Sequence, residues 1–323
     1  MWQDTVIITR RVRHGLDLAA DLEKAARVAE FAIGHKDERL TTRHVAHIGL
    51  NSTFSDMTLR RYGKRPPMTF RRERTKLEVA GSKVKPDLES HSVYIPAFRT
   101  ALRVEFPRRF IRIREVVFDR DFAHFVFEVS ADDRMEVQGW LGVDLNIIGP
   151  LAVVYVPTLG EVLRIGTEFY FLVKKYQKII REVTDARKKG MRQRLYRRRK
   201  NRITDLLHKS TSKIVSLARD QQCGIRLEDL RGIRRAANPK RPQRIMVQQW
   251  PYFKFRQQIV YKAKMAGVPV QLVRPGGTST TCAVHRVTGR RDGRTFLCPV
   301  GHEVDVDENA AMCISATVGK YEF

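Results

Sequence analysis

The chain has 323 residues, 42% of them hydrophobic and 30% charged, which is enough sequence for about two globular domains. No apolar run reaches the roughly 18 residues of a spanning helix, and the charged N-terminus does not resemble a signal peptide. We therefore expect a cytoplasmic, nucleoid-associated protein of prokaryotic type and no membrane partner. Lys and Arg number 61 against 35 Asp and Glu, and the resulting net charge of +26 favours nucleic acid as the partner.

The first part of the chain has the pattern of a small β-rich domain. Residues Thr5–Val12 predict a strand, and the spacing of apolar residues from Leu18 to Ala32 predicts a helix. Further β-rich segments follow at Lys76–Val79, Ser92–Pro96, Phe110–Phe118 and His124–Val129. We assign residues 1–138 to this domain, with a helical insertion over about 16–66.

The second part, residues 139–323, alternates strands and helices. It begins with the near-continuous apolar segment Trp140–Val156, and the later elements are two long helices, a strand at Gly224–Leu230, a helix and a strand at Val270–Val273. The predicted fold class is therefore mixed α/β and α+β. The order βββ, α, β, α, β, α around the acidic residues is that of a ribonuclease H-like sheet.

Three acidic residues stand in otherwise apolar patterns. Asp144 lies on the opposite strand face from Leu141, Val143 and Leu145; Glu228 shares a strand face with Arg226. Asp307 precedes Ala310, Ala311 and Ile314 on one helix face, so this helix can approach a sheet closely, whereas Asp305 should point elsewhere. Such acids at one sheet edge would hold two Mg²⁺ for hydrolysis of a nucleic-acid strand.

Each acid also has an ordinary structural alternative. Asp144 could end a strand, Glu228 could pair with a nearby arginine, and Asp307 could cap its helix. The order of elements around them favours the joint hypothesis, since it would bring all three to the same place.

Five ordered segments then resemble the RuvC motifs of the TnpB family of transposon-encoded, RNA-guided DNA nucleases, which are related to compact type V CRISPR effectors. They are GVDLN at Gly142–Asn146, HKSTSKIV at His208–Val215, RLEDL at Arg226–Leu230, TSTTC at Thr278–Cys282 and DVDENAA at Asp305–Ala311. The resemblance is specific over the last 185 residues or so and only general before them.

The resemblance implies a RuvC nuclease domain behind a β-barrel wedge domain with an inserted recognition lobe, which would be short here. It implies Asp144, Glu228 and Asp307 as the catalytic triad, a guide RNA and double-stranded target DNA as partners, and cleavage beside a short flanking motif. A guided binder that has lost cleavage, an unguided RuvC-like nuclease and a DNA-binding transposition accessory remain as alternatives. The sequence leaves the oligomeric state open.

A cysteine and histidine cluster precedes Asp307. Cys282, His285, Cys298 and His302 have spacings that suit a structural tetrahedral Zn²⁺, in an insertion over about 276–304. The family pattern resembles a four-cysteine ribbon, from which this chain departs because two cysteine positions are altered. Either His302 replaces the fourth ligand or the site has lost one. Cys223 and Cys313 fit better as buried apolar residues.

A basic run without acids extends from residue 187 to 202, and its pattern favours phosphate binding over a solvated helix face. Its cationic members are Arg187, Lys188, Lys189, Arg192, Arg194, Arg197, Arg198, Arg199, Lys200 and Arg202.

Other residues carry open assignments. Trp250 and Phe253 could stack a base, but their helical spacing favours a core position for both. His208 could contact phosphate or have no role, and Thr278 and Ser279 could bind phosphate or order a metal ligand.

Overall fold

The structure is a computed structural model that describes residues 5–36, 38–64, 67, 69–185, 189–230, 250–319 and 321–322. These residues form two compact units, one ending at residue 131 and the other beginning at residue 132. We predicted the boundary near Gln138, and the units divide slightly earlier. Within the described part of the chain, no helix combines the length and the apolar character needed to cross a bilayer.

The first unit contains two α-helices and seven strands in its described residues. The helices are α1 (Ala19–Gly34) and α2 (Ser52–Lys64), both within the predicted insertion. The strands are β1 (Thr5–Arg13), β2 (Leu77–Ala80), β3 (Lys85–Asp87), β4 (Ser92–Ile95), β5 (Thr100–Arg103), β6 (Phe110–Phe118) and β7 (Phe122–Ser130). Residues of β7 alternate between buried and partly exposed, as expected for a strand with one face on the core.

These strands form two sheets, of order β1-β7-β6-β2 and β3-β4-β5, and every pairing is antiparallel. The predicted closed barrel is not found among the described residues. A barrel closes only when its edge strands pair, and β1 and β2 remain the two edges of the four-stranded sheet.

The second unit is built on a six-stranded sheet. Its strands are β8 (Gly139–Leu145), β9 (Ala152–Val156), β10 (Glu161–Ile165), β11 (Cys223–Glu228), β12 (Val270–Val273) and β16 (Tyr321–Glu322). Their order across the sheet is β10-β9-β8-β11-β12-β16. The pairs β8–β11 and β11–β12 are parallel, and the remaining pairs are antiparallel. The mixed α/β character predicted from the sequence is thereby confirmed.

Four described α-helices belong to this unit: α3 (Phe169–Asp185), α4 (Lys189–Asp220), α5 (Tyr252–Met265) and α6 (Val306–Ala316). A small three-stranded sheet precedes α6 and consists of β13 (Arg290–Asp292), β14 (Thr295–Leu297) and β15 (Glu303–Asp305). We call residues 276–304, which include most of this sheet, the ribbon.

The two faces of the large sheet are covered differently. Leu141 and Val143 of β8 belong to one buried cluster with side chains of α3, α4 and α5, among them Phe169, Leu207 and Ile259. The opposite face of β8 packs against α6. Since side chains alternate along a strand, Asp144 lies on the α6 face, as the sequence pattern predicted.

Candidate active site

Two parallel strands bring the first two carboxylates together. Val143 of β8 is paired with Leu227 of β11, so Asp144 and Glu228 are the next residues along adjacent strands. Neighbouring strands lie about 4.8 Å apart and equivalent residues point to the same face. Asp144 and Glu228 therefore stand side by side on the face that α6 covers.

Helix α6 brings in the third carboxylate, and Gly142 allows its close approach. A Cβ atom at position 142 would overlap the carbonyl oxygen of Ala311 and lie 2.5 Å from the backbone nitrogen of Ser315. The Ser315 hydroxyl donates to the backbone oxygen of Trp140 at 2.6 Å. The strand and the helix thus meet at backbone distance, and Asp307 in the first turn of α6 is delivered to the site.

The carboxylates interact electrostatically. Burial, and after it the negative charges of Glu228 and Asp307, raise the pKa of Asp144 to about 8. Burial also raises the pKa of Glu228, against the effect of the Thr278 hydroxyl, which donates to Glu228 Oε1 at 2.6 Å. Asp307 is 8% exposed. The site is therefore a partly desolvated cluster of acids whose mutual repulsion a bound cation would relieve.

The ordinary alternatives for the acids can be compared with the contacts. The described partner of Glu228 is a threonine, not an arginine. Asp305, not Asp307, caps α6, because Asp305 Oδ1 accepts from the backbone N–H of Asp307 at 2.9 Å. Asp305 caps the helix and shares a cation with Asp307, but it is not among the charges that raise the pKa of Asp144.

That cation is Arg294, from the turn between β13 and β14, which the sequence did not single out. Its Nη2 lies 2.6 Å from Asp307 Oδ2 and 3.2 Å from Asp305 Oδ2. The backbone N–H of Val306 also donates to the Arg294 carbonyl oxygen at 2.9 Å. The ribbon therefore places one positive charge directly beside a predicted metal ligand.

The other end of α6 is held by Arg226, which shares its strand face with Glu228. Its guanidinium donates to the Ser315 carbonyl oxygen at 2.5 Å and lies 4.6 Å from the centroid of the Trp140 ring. Near the start of the helix, Arg164 of β10 forms a 2.6 Å ion pair with Glu308. These contacts fix α6 at both ends and so fix the position of Asp307.

The predicted zinc ligands gather at one end of the ribbon. The ligand atoms of Cys282, His285 and Cys298 all lie within 4.8 Å of one another. The Sγ of Cys282 lies 3.3 Å from His302 Nδ1, and Cys298 Sγ lies 3.3 Å from His285 Nδ1. Around a tetrahedral zinc ion, neighbouring sulfur and nitrogen ligands are separated by about 3.6 Å. The group of Cys282, His285 and Cys298 therefore suits Zn²⁺, whereas His302 approaches Cys282 Sγ but lies outside that three-residue group.

The Cys282 thiol has a lowered pKa. Burial raises its pKa, but backbone hydrogen bonds from His285 and Val284, the contact with Cys298 and the positive charge of Arg286 together outweigh burial, so this pKa lies below its ordinary value. A lowered thiol pKa favours the thiolate, which is the form that binds metal. Cys223 and Cys313 are buried, as predicted, and burial raises the pKa of both thiols. The Cys313 thiol donates to the Thr281 carbonyl oxygen at 3.3 Å, next to Cys282.

Asn309 joins the zinc-ligand cluster to α6. Its side chain is fully buried, donates to the Thr281 carbonyl oxygen at 2.8 Å and accepts from the Ala283 N–H at 2.9 Å. Thr281 and Ala283 flank the zinc-ligand candidate Cys282. The cluster is therefore tied to the helix that carries Asp307.

The basic run lies on α4 where the structure describes it. Arg192, Arg194, Arg197, Arg198, Lys200 and Arg202 are exposed. Arg187 and Lys188 lie outside the described residues, and Lys189 begins the helix. Arg199 differs from its neighbours because its side chain is buried.

The two aromatic residues predicted for the core differ in burial. Trp250 is 3% exposed, whereas Phe253 is 56% exposed, so the core prediction is wrong for Phe253. Tyr252, Phe255 and Ile259 are among the buried residues of α5, and Phe253 lies on its other side. Thr278 donates to Glu228, a predicted metal ligand, and ordering such a ligand is one of the two roles considered for it. Ser279 is exposed.

Comparison with known proteins bears on the same part of the chain. Residues 252–314 match the family model of the Cas12f1-like TNB domain, a range that includes the predicted zinc ligands and Asp307. A TnpB-like protein of Methanocaldococcus jannaschii is 32% identical over 177 residues, 54% of this chain and 61% of that protein. This part of the chain is similar to TnpB-like and Cas12f1-like proteins. The family resemblance seen in the sequence is thereby confirmed.

Further relatives are more distant or are matched over a shorter part of their length. The CRISPR-associated endodeoxyribonuclease Cas12f1 of Sulfoacidibacillus thermotolerans is 34% identical over 113 residues, 33% of this chain and 25% of that protein. The matches thus cover under two thirds of the M. jannaschii protein and a quarter of the Cas12f1. A solved Cas12f1–sgRNA–target DNA complex has a TM-score of 0.47 and 14% identity, covering 96% of this chain and 99% of that chain.

Proposed function

We propose that this TnpB relative is an RNA-guided DNA endonuclease that hydrolyses phosphodiester bonds with divalent metal. The observation that carries the proposal is the electrostatic coupling of Asp144 to Glu228 and Asp307, from two strands and a helix far apart in sequence. The strand order β10-β9-β8-β11-β12 supports assigning the second unit to the ribonuclease H-like, RuvC-type group. The similar Cas12f proteins are named endodeoxyribonucleases, which supports the same chemistry.

Asp144, Glu228 and Asp307 are the residues that would hold Mg²⁺. Carboxylate oxygens are the ligands this ion prefers, and the raised pKa of Asp144 is the effect expected of buried like charges that a cation would stabilise. When bound, two Mg²⁺ would supply an activated water and stabilise the leaving 3′-oxygen. Thr278 orients the Glu228 carboxylate, the Asp305 cap fixes the start of α6, and Arg294 partly neutralises Asp307.

In this proposal a guide RNA supplies sequence choice by base pairing, and the protein grips the nucleic-acid backbones and a short flanking motif of double-stranded DNA. The net charge of +26 and the exposed cations of α4 supply the electrostatic attraction. Guide RNA and double-stranded target DNA are therefore the proposed partners.

The deciding experiment uses the chain purified from its host with whatever nucleic acid travels with it. We expect a discrete RNA, and Mg²⁺-dependent cutting of a DNA target matched to it beside one flanking motif in a randomised library. Guide-dependent binding without cutting would indicate a nuclease-silent binder. Cutting with no RNA would indicate an unguided nuclease, and binding with neither RNA nor cutting a transposition accessory.

The basic run gives a second prediction. Replacing Arg194, Arg197 and Arg198 together with Ala should weaken nucleic-acid binding and flatten its salt dependence. Each lost phosphate contact should reduce the slope of log affinity against log salt by roughly 0.7 to 0.9. Arg199 is left in place because it is buried, and its loss would disturb packing as well.

The matched control for this prediction is a double replacement of Met191 and Gln193 with Ala, two exposed uncharged residues on the same helix. Binding should be measured from about 50 to about 500 mM salt, because the screening of charges increases strongly over this range. If the salt-dependence slope of the triple variant equals that of the control, the basic run is a solvated helix face and does not bind phosphate.

We also propose that the ribbon binds one structural Zn²⁺ through Cys282, His285, Cys298 and His302. The proposal rests on the sulfur–nitrogen separations of 3.3 Å on two sides of the cluster and on the lowered thiol pKa of Cys282. His302 would then take the place of the missing cysteine ligand. The ion would stabilise the turn that positions Arg294.

The zinc prediction concerns metal content and stability. The protein should carry about one Zn²⁺ per chain, and chelation should lower its melting temperature because structural zinc contributes directly to folding. His302→Ala should weaken zinc binding at least about 100-fold, more than loss of an outer-shell partner does. His208→Ala is the matched control, since that side chain lies outside the cluster. Wild-type zinc affinity in His302→Ala would establish a three-residue site instead.

A further inference from the structure

An open cleft lies between α4 and the start of α5, apart from the carboxylates. Its volume is about 530 Å³, within the range of about 300 to 1,000 Å³ that is usual for ligand pockets. The wall from α4 includes Tyr196, Lys200 and Ile203, and the wall from the other segment includes Trp250, Phe253 and Lys254.

Two aromatic rings border this cleft and remain accessible. Phe253 is 56% exposed and Tyr196 is 46% exposed. Each ring also has an arginine near it, since the Arg256 guanidinium lies 5.7 Å from the Phe253 centroid and that of Arg192 lies 5.8 Å from the Tyr196 centroid. Exposed aromatic rings beside guanidinium groups are the features that stack unpaired bases.

The polar part of the cleft is cationic. Lys200 and Lys254 are exposed at its border, and the described residues that line it include no acid. The buried Trp250 supplies an apolar floor together with Ile203. A ligand that matches this lining has a flat aromatic part and a negatively charged part close to it, which is the chemistry of a nucleotide within a strand.

We propose that this cleft binds an unpaired nucleotide of a nucleic-acid strand, with its base stacked on Phe253 and Tyr196 and its phosphate between Lys200 and Lys254. The charge of α4 argues for this occupant, because the exposed cations of the basic run continue along the same helix toward the cleft. A duplex would present phosphates but no open base face. The inference depends on the nucleic-acid binding proposed above and is independent of cleavage.

The test measures strand binding by the full-length chain carrying Asp144→Asn, which removes cutting from the assay. Phe253→Ala should lower affinity for a single-stranded oligonucleotide by about 5- to 150-fold, since one stacked base contributes about 1 to 3 kcal/mol. Phe253→Tyr should retain the affinity. Phe171→Ala is the matched control, because Phe171 is a 72% exposed phenylalanine of α3 that does not line the cleft.

Separate arms with RNA, DNA and a DNA duplex identify the ligand. Loss of affinity for RNA alone, for DNA alone or for both single strands supports the cleft and names the strand it holds. Equal affinities of Phe253→Ala and Phe171→Ala in both single-strand arms overturn the proposal, and so does an equal loss with the duplex. Photocrosslinking of a 5-iodouridine strand should label Phe253 or Tyr196, and labelling only elsewhere contradicts it.

These outcomes can be separated from failure of the proposed function. If the wild-type chain cuts guide-matched DNA while Phe253→Ala binds single strands normally, only the cleft proposal falls. If no nuclease activity exists but the aromatic variants lose strand binding, only the nuclease proposal falls. Melting curves of Phe253→Ala should match those of the parent chain, because the side chain is largely exposed.

Discussion

Asp144→Asn is expected to abolish DNA cleavage and to leave nucleic-acid binding intact. The amide keeps the size of the side chain but removes a charged metal ligand from the centre of the cluster. Metal catalysis of this kind contributes several kcal/mol, so the rate should fall at least about 1,000-fold. The measurement is cleavage of guide-matched DNA in Mg²⁺, beside a binding assay on the same substrate. Cleavage near the wild-type rate would remove Asp144 from the proposed site.

Without bound metal, the Asp144→Asn variant should be more stable than wild type at alkaline pH. In the folded chain the pKa of Asp144 is raised from 3.8 to about 8 by burial and by its acidic neighbours. The carboxyl group therefore contributes its full stability below about pH 4 and loses it progressively as the pH rises toward 8. An asparagine side chain does not titrate, so the Asp144→Asn variant should avoid that loss.

The expected result in chelator at about pH 9 is that Asp144→Asn unfolds with a higher free energy than wild type, by at least about 1.4 kcal/mol, the equivalent of one pKa unit. The difference should shrink toward about pH 5, and added Mg²⁺ should stabilise wild type alone. Asp205→Asn is the matched control, since Asp205 is an exposed residue paired with Lys209 on α4. Equal stabilities in alkaline chelator would contradict the coupling of the three carboxylates.

Much of this site could be predicted because its residues interrupt local patterns. Alternation along β8 places Asp144 opposite the buried Leu141 and Val143, and the small residues after Asp307 indicate a helix that approaches a sheet closely. Both signals can be recognised from the side-chain periodicity of a single strand or helix. The parallel register that places Asp144 beside Glu228 does not follow from these patterns and is given by the strand pairing itself.

The parts that could not be predicted depend on contacts between distant segments. Arg294 reaches Asp305 and Asp307 through the turn of the ribbon, and Thr278 reaches Glu228 across 50 positions of sequence. The contacts of Arg294 do not follow from the type or the spacing of these residues. For Thr278, the sequence indicated that it could order a metal ligand, but not which carboxylate it would contact. Phe253 has helical spacing from core residues, but only one side of α5 is buried, so its exposure depends on the rotation of that helix.

The position of Gly142 also carries a sequence signal of close packing. Glycine weakens a strand, and in a strand interior it often marks close approach of another backbone. In GVDLN the glycine stands two residues before Asp144, on the same strand face. The helix that approaches there is the one carrying Asp307, so the glycine belongs to the site although it carries no reactive group.

Gly142→Ala should therefore be among the most damaging single substitutions in the second unit. The new methyl group would overlap the Ala311 carbonyl oxygen and lie 2.5 Å from the Ser315 nitrogen, and both are backbone atoms that no rotamer change can move. Helix α6 must shift as a body, which separates Asp307 from Asp144 and Glu228. We expect a loss of about 1 to 3 kcal/mol in unfolding free energy and a cleavage rate at least about 100-fold lower.

The matched control is Gly190→Ala, because an added Cβ there meets no atom within 4 Å and Ala is a better helix former than Gly. Unfolding in denaturant and titration of Mg²⁺ separate the two effects of Gly142→Ala. A folded variant with weakened Mg²⁺ binding is the expected outcome, since the helix retains its Ser315 and Arg226 contacts only if it tilts rather than dissociates. Normal Mg²⁺ affinity in a folded Gly142→Ala would mean that the approach of α6 does not set the position of Asp307, and the metal site would need a different support.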